Sequence, residues 1–206
     1  MIVHTLPLGP LASNMFVIED GEAFYIVDPS VSPDECASVI EGFDPGKVRA
    51  VLVTHAHFDH IFYIEEWQAK CSCDFFMSDD DRDLLSDPMY NVSAMIGYDR
   101  AFKADTKDIS SLVALGNLKT EVIRTPGHTR GSVCFLVSDG SEKVIFTGDT
   151  VFAGGVGRTD FPTGNLTELM ESVGKIKALD RSIVMYTGHG PVTTVGSEVD
   201  SNPYFY

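Results

Sequence analysis

The sequence predicts a layered α/β domain, and three observations point to it. Short apolar runs that read as strands feed amphipathic segments that read as helices in both halves of the chain, a pattern that fits sheets covered by helices. Four of the apolar runs end in histidine or aspartate. No linker, repeat or low-complexity stretch divides the 206 residues, so one domain spanning 1–206 with a sizeable core is expected.

The elements follow in order. Residues 14–18 and 23–27 are strand-like, joined by the turn Glu19-Asp20-Gly21-Glu22. Ser32-Pro33-Asp34-Glu35 reads as a capping box with proline at the first helical position, opening a helix to about Glu41. The continuous apolar run Val51-Leu52-Val53 reads as a buried strand, and 61–70 as the helix after it. Asp79-Asp80-Asp81 reads as a solvated helix start, where negative charge suits the helix dipole. Within 88–118, Met89, Tyr90, Met95 and Tyr98 fit either a helix over the active site or ordinary core, and core is preferred. A short strand pair is expected over 112–121, and a hairpin from 132–137 and 143–147 around Ser138-Asp139-Gly140-Ser141. Asn165 caps the last long helix, which places Leu166, Leu169, Met170, Val173 and Ile176 on one face.

Composition narrows the function. A net charge of −15 opposes nucleic-acid binding, which needs a basic footprint, and acidity of this kind serves solubility. No apolar stretch is long enough to span a bilayer. No basic segment followed by an apolar region opens the chain, so a cytoplasmic protein without a membrane partner is expected. The cysteines Cys36, Cys71, Cys73 and Cys134 lack zinc-finger spacing and read as reduced thiols. Asn91-Val92-Ser93 matches a glycosylation sequon that carries little meaning without a secretion signal.

Five of the six histidines sit in three short motifs. The densest is Thr54-His55-Ala56-His57-Phe58-Asp59-His60, after the Val51-Leu52-Val53 strand. The second, Thr125-Pro126-Gly127-His128-Thr129, follows Val122-Ile123. The third, Thr187-Gly188-His189-Gly190-Pro191, follows Ile183-Val184-Met185-Tyr186. Between them Asp149 follows the strand Val144-Ile145-Phe146. Four strand ends thus deliver seven ligand-type side chains, and only His4 lies outside the pattern. Histidine, aspartate and water suit Zn, Fe or Mn without any thiolate.

This arrangement resembles the metallo-β-lactamase superfamily, whose signature is His-x-His-x-Asp-His, over essentially the whole chain. It looks most like the glyoxalase II-like branch of hydroxyacyl-thioester hydrolases. Asp149 stands where those enzymes have a bridging aspartate. Gly157-Arg158-Thr159-Asp160-Phe161 resembles a segment of short glyoxalase II-like proteins and of persulfide dioxygenases. Gly188 to Thr194, followed by Asn202-Pro203-Tyr204, is similar to the end of the single-domain members. The resemblance implies a four-layer αββα sandwich with metals at the edge between its two sheets. It implies that His55, His57 and His128 hold one ion, that Asp59, His60 and His189 hold the second, and that Asp149 bridges them. Zn is the first expectation for the two divalent ions, with Fe or Mn also suited. The chain departs from the family at Phe62-Tyr63, where a Gly-Gly pair is common, and bulky residues there are expected to narrow the site.

The implied reaction is hydrolysis of an acyl thioester, a small-molecule substrate such as hydroxyacyl-glutathione, by a metal-bridging hydroxide. Zinc-bound water ionises near pH ~7, against ~15.7 for free water. Asp59 is expected to hold its metal and orient the nucleophile. A thiolate leaves without acid help, because thiols ionise near ~8.5. Arg158, after the loop Ala153-Gly154-Gly155-Val156-Gly157, is expected either to order that loop or to meet an anionic substrate group. The alternatives are an Fe-dependent persulfide dioxygenase, a metallo-hydrolase of another ester, lactone or amide, and a metal-binding scaffold without catalysis. A β-lactamase fits less well, since Asp149 occupies the bridging position.

Overall fold

The computed structural model describes residues 1–206. One sheet contains, in spatial order, β1 (Ile2–Leu6), β2 (Met15–Asp20), β3 (Ala23–Val27), β4 (Val48–Leu52), β5 (Asp74–Met77) and β6 (Lys107–Asp108). β1 to β3 form an antiparallel meander, and β3 to β6 run parallel. Parallel neighbours need crossovers. These carry α1 (Pro33–Val39), α2 (Ile64–Lys70) and α3 (Arg82–Ser86).

The second sheet begins with the antiparallel strands β7 (Lys119–Arg124), β8 (Val133–Ser138) and β9 (Lys143–Gly148). A small ribbon, β10 (Val151–Phe152) with β11 (Gly155–Val156), and the helix α4 (Leu166–Lys177) follow. The chain then re-enters the sheet as β12 (Val184–Thr187), parallel to β9, and closes with β13 (Thr193–Thr194) and α5 (Val195–Ser201). The spatial order is β13-β12-β9-β8-β7.

Strand alternation sorts the side chains into layers. Phe16, Ile18, Val27 and Leu52 of the first sheet meet Phe135, Val137 and Phe146 of the second in one buried cluster. The intervening residues Val17, Ile26 and Val51 face outward onto Cys36 of α1 and Ile64 and Trp67 of α2. Leu136, Ile145 and Met185 face outward onto Val173 and Ile176 of α4 and Val195 of α5. The fold is therefore an αββα sandwich. Both faces of the central strands are covered, which is why they read as continuous apolar runs rather than alternating ones. No helix is long and apolar enough to cross a membrane.

The helix starts are those the sequence marks. Ser32 Oγ accepts from Glu35 N, and Asn165 accepts from Thr167 N and Glu168 N. Several details differ. Helix α1 ends at Val39, α2 starts only at Ile64, and the strand pair over 112–121 reduces to a single Leu115–Leu118 bridge before β7. Leu166, the first residue of α4, is exposed, so the buried face begins at Leu169.

Two corrections bear on the site. Asp81 is fully buried, not a solvated helix start. Met89, Tyr90, Met95 and Tyr98 are not core: each is at least 40% exposed. Their segment holds only a short 3-10 turn, Ser93–Ile96, because left-handed backbone at Val92, Gly97 and Asp99 interrupts any longer helix. The expected narrowing by Phe62 and Tyr63 takes another form. Phe62 packs edge-on to Tyr98 and beneath the Arg100 guanidinium, anchoring that segment from outside the cleft.

Candidate metal centre

The seven ligand-type side chains leave four strand ends and converge. The loop after β4 brings His55, His57, Asp59 and His60; the loop after β7 brings His128; Asp149 follows β9 and His189 follows β12. Potential ligand atoms lie within 4.8 Å of one another in three sets: His55-His57-His128, Asp59-His60-His189 and His55-His60-Asp149. Asp149 faces both halves of the cluster. Its Oδ1 is 3.2 Å from His60 Nε2, and its Oδ2 is 3.5 Å from His128 Nε2 and 3.6 Å from His189 Nε2.

The donor set fits cations. His55 Nε2, His60 Nε2 and Asp149 Oδ1 are buried without a hydrogen-bond partner, an arrangement costly enough to be rare unless something else binds there. His57 Nδ1 and His128 Nε2 stand only 2.9 Å apart. The histidine-carboxylate cluster is thus compatible with two metal ions.

Several rings are fixed from behind. His60 Nδ1 donates to Asp28 Oδ2 at 2.9 Å, and His128 Nδ1 donates to the Arg158 carbonyl at 2.8 Å. Carbonyl and carboxylate oxygens only accept, so both rings must carry a proton on Nδ1, which points Nε2 into the cluster. His55 reaches the same tautomer through a relay. The Thr54 hydroxyl donates to Asp28 Oδ2, so its oxygen is left to accept from His55 Nδ1 at 3.0 Å. One carboxylate, Asp28, thereby orients two rings and also accepts from Thr54 N.

Sequence reasoning missed Asp28 and Asp81. Asp28 follows the apolar strand Tyr25-Ile26-Val27, the same signal that marks Asp149, and its positive φ of 57° sets it apart from ordinary strand residues. Asp81 accepts from Ala56 N, Thr129 Oγ1 and Gly131 N at 3.1, 2.7 and 2.8 Å. It thus ties the His55–His57 loop to the loop carrying His128. Ser13 and Asn14 pin the first and third motifs: Ser13 Oγ donates to the Asp59 carbonyl, and Asn14 Nδ2 donates to the carbonyls of Thr187 and Gly190. Backbone approach is equally constrained. A side chain at Gly188 would strike Asp149 Oδ1, and one at Gly157 would strike the Asp149 carbonyl.

The electrostatics follow from burial and from neighbouring charge. Burial, reinforced by the surrounding imidazoles, holds His55 and His57 well below the usual histidine range, so both are neutral near pH 7. Burial opposes charge on His60 too, but Asp149 and Asp59 raise it well above that range. Burial would raise Asp149, yet the histidines, His60 foremost, hold it well below the carboxylate range. The two carboxylates therefore favour positive charge between them.

The cluster forms the floor of a cleft of about 430 Å³. Arg158 lines it, with its guanidinium held by Asp160 and lying 3.9 Å over the Phe161 ring. Asn202 supports the loop after Asp149 by donating to the Gly155 carbonyl at 3.0 Å. The sequon residue Asn91 is fully buried, its amide donating to the Arg100 carbonyl.

A family model described as the metallo-beta-lactamase superfamily matches residues 8–189. The hydroxyacylglutathione hydrolase GloC of Haemophilus influenzae is 31% identical over 99% of this chain and 98% of its own length. Among solved structures, the B3 metallo-β-lactamase BLEG-1 superimposes with a TM-score of 0.89 at 31% identity, covering 99% of both chains. A di-iron-bound form of TTHA1623 gives 0.84 at 28% identity, over 98% of this chain and 99% of that one.

Proposed function

This chain belongs to the metallo-β-lactamase superfamily, and we propose that it is a glyoxalase II-like, dinuclear metal-dependent hydrolase of acyl thioesters. In this reading residues 1–206 act as one domain on a small molecule. His55, His57 and His128 would hold one ion, Asp59, His60 and His189 would hold the other, and Asp149 would be shared between them. Zn is the first choice of metal, and the di-iron form of TTHA1623 supports iron as the competitor.

When bound, two such ions polarise a carbonyl oxygen and make hydroxide available near neutral pH. The chain's own residues do the positioning. Asp28 and the Arg158 carbonyl keep the Nε2 lone pairs of His60 and His128 aimed inward. Asp59 Oδ2, 3.2 Å from His189 Nε2, borders the cleft and orients the attacking water.

One observation carries the thioester reading. Apart from the proposed ligands, Arg158 is the only titratable residue lining the cleft, and Asp160 already engages it. An amide nitrogen needs a proton to leave, whereas a thiol with pKa near ~8.5 leaves as its anion. The GloC relative supports the same substrate class. The likeness to BLEG-1 favours a second reading, hydrolysis of a β-lactam amide.

The deciding assay sets metal-loaded protein against lactoyl-glutathione, a lactoyl thioester of N-acetylcysteamine and a chromogenic cephalosporin. Thioester cleavage at least a hundredfold more efficient, roughly 2.7 kcal/mol in barrier, is expected. Faster turnover of the cephalosporin would overturn the thioester reading in favour of the second.

A further inference from the structure

We infer that the cleft selects neutral, apolar acyl groups, aliphatic chains of several carbons or aryl rings, and gives no specific hold to anionic ones. The inference rests on the thioester reading and names its substrate class.

The walls carry the argument. Eight of the 14 lining residues are hydrophobic, and five of the other six belong to the metal cluster, leaving only Arg158. Above the metal floor the surface is therefore apolar. Leu11, Met95 and Ile96 stand 63%, 45% and 45% exposed at this cleft, and Phe152, Val156 and Phe161 line it too. Large apolar side chains gathered open to water around a reactive centre mark a ligand-binding surface.

Backbone strain adds an independent indication. Leu11 and Val92 both line the cleft, and both have positive φ, 57° and 61°. That conformation is uncommon for leucine and a true outlier for a β-branched residue, and such strain gathers at ligand clamps. Val92 introduces the turn that bears Met95 and Ile96. The wall is also tied to the reaction centre: Phe58, between His57 and Asp59, donates its N–H to the Asn91 carbonyl at 2.9 Å, and Tyr98 stacks on its ring.

Charge points the same way. The Arg158 guanidinium makes a two-point pair with Asp160, at 2.6 and 2.5 Å. No other cationic side chain lines the cleft outside the metal cluster. A carboxylate on the acyl group would find its one side-chain partner already committed.

Hydroxamates test this without turnover, because a shared metal-binding head leaves the tail as the only difference. Dissociation constants for aceto-, hexano- and succino-hydroxamate are measured by calorimetry on metal-loaded protein, with thioester hydrolysis assayed in parallel. The hexanoyl tail should bind at least about tenfold tighter than the acetyl, the gain from roughly half-burying four methylenes. The succinyl tail should bind no better than the acetyl. In the double variant Met95→Ser, Ile96→Ser the hexanoyl preference should fall below about threefold, with thermal stability unchanged because both side chains are half-exposed. Equal affinity for the acetyl and hexanoyl tails, tighter binding of the succinyl tail, or no binding by any overturns the inference. A preserved hexanoyl preference without thioester hydrolysis sinks the thioester reading and leaves the apolar wall standing. Hydrolysis of every thioester with no tail preference does the reverse.

Discussion

His55, His60 and His128 each have a partner fixed behind the ring, whereas Met95 and Ile96 on the rim of the same cleft are half-exposed apolar side chains on a strained turn. The floor is a polar network in which moving one group leaves a buried donor or acceptor unmet, so it tolerates little change. The rim has no such coupling among its side chains, and substitutions there alter which surface is offered to a ligand while the chemistry is retained. The floor therefore speaks to the reaction class and the rim to the choice of substrate.

The largest expected effects test the floor. Purified protein should hold close to two transition-metal ions, and chelation should abolish hydrolysis and lower the melting temperature, because bound metal favours the folded state. Elemental analysis that found one ion, with no second binding event on titration, would falsify the dinuclear assignment. Next is Asp149→Ala, which removes the only carboxylate facing both halves of the cluster. It should release one ion far more readily than the other and lower kcat/KM by about a thousandfold, ~4 kcal/mol. A variant retaining both ions and full activity would exclude the bridge.

The supports behind the ligands should matter less, but still more than the rim. Asp28→Asn replaces an acceptor oxygen with an amide donor, so Thr54 and His60 can no longer both donate as they do now. Metal affinity should fall about 10–100-fold, the usual effect of losing such a partner. Titration with a competing chelator measures it, and unchanged affinity would show that His60 needs no orienting carboxylate. Asp81→Ala leaves Ala56 N and Gly131 N without their acceptor while Thr129 keeps Ser132. Two unmet buried donors at about 1–2 kcal/mol each should lower the melting temperature by roughly 4–16 °C and speed metal release. A stable variant with unchanged release kinetics would show that the two loops hold their places independently.

What was legible in the sequence follows the same division. The strands that bury both faces announce themselves as apolar runs, and the helix caps Ser32 and Asn165 are local signals. The histidine motifs are local too, so the side chains that converge could be named in advance. Asp81 could not be recognised, because its partners lie 25, 48 and 50 residues away and its neighbours Asp79 and Asp80 are exposed, as a helix start would be. Asp28 carries the strand-end signal that marks Asp149, but its partners Thr54 and His60 lie 26 and 32 residues away. The rim lacked any periodicity to read, since left-handed residues at Val92 and Gly97 bracket its single turn. Apolar residues placed there for a ligand look in sequence like residues placed for a core.

The smallest expected effect joins the two regions at Arg158. Its carbonyl holds His128 in the floor, while its guanidinium lies in the wall, paired with Asp160. Both side chains of the pair are more than half exposed, and exposed pairs of this kind are worth little in stability. Asp160→Ala should therefore leave the fold intact and free one cation beside the cleft. Glutathione carries carboxylates and N-acetylcysteamine carries none, so the ratio of kcat/KM for their lactoyl thioesters reports that cation. The ratio should rise about two- to fivefold in favour of glutathione and fall back at high salt, as screening requires. An unchanged ratio would mean that the freed guanidinium stays on Phe161, out of reach of the carrier. A loss of activity on both thioesters would show instead that Asp160 serves the floor by fixing the Arg158 carbonyl, and the division between floor and rim would then fail at this residue.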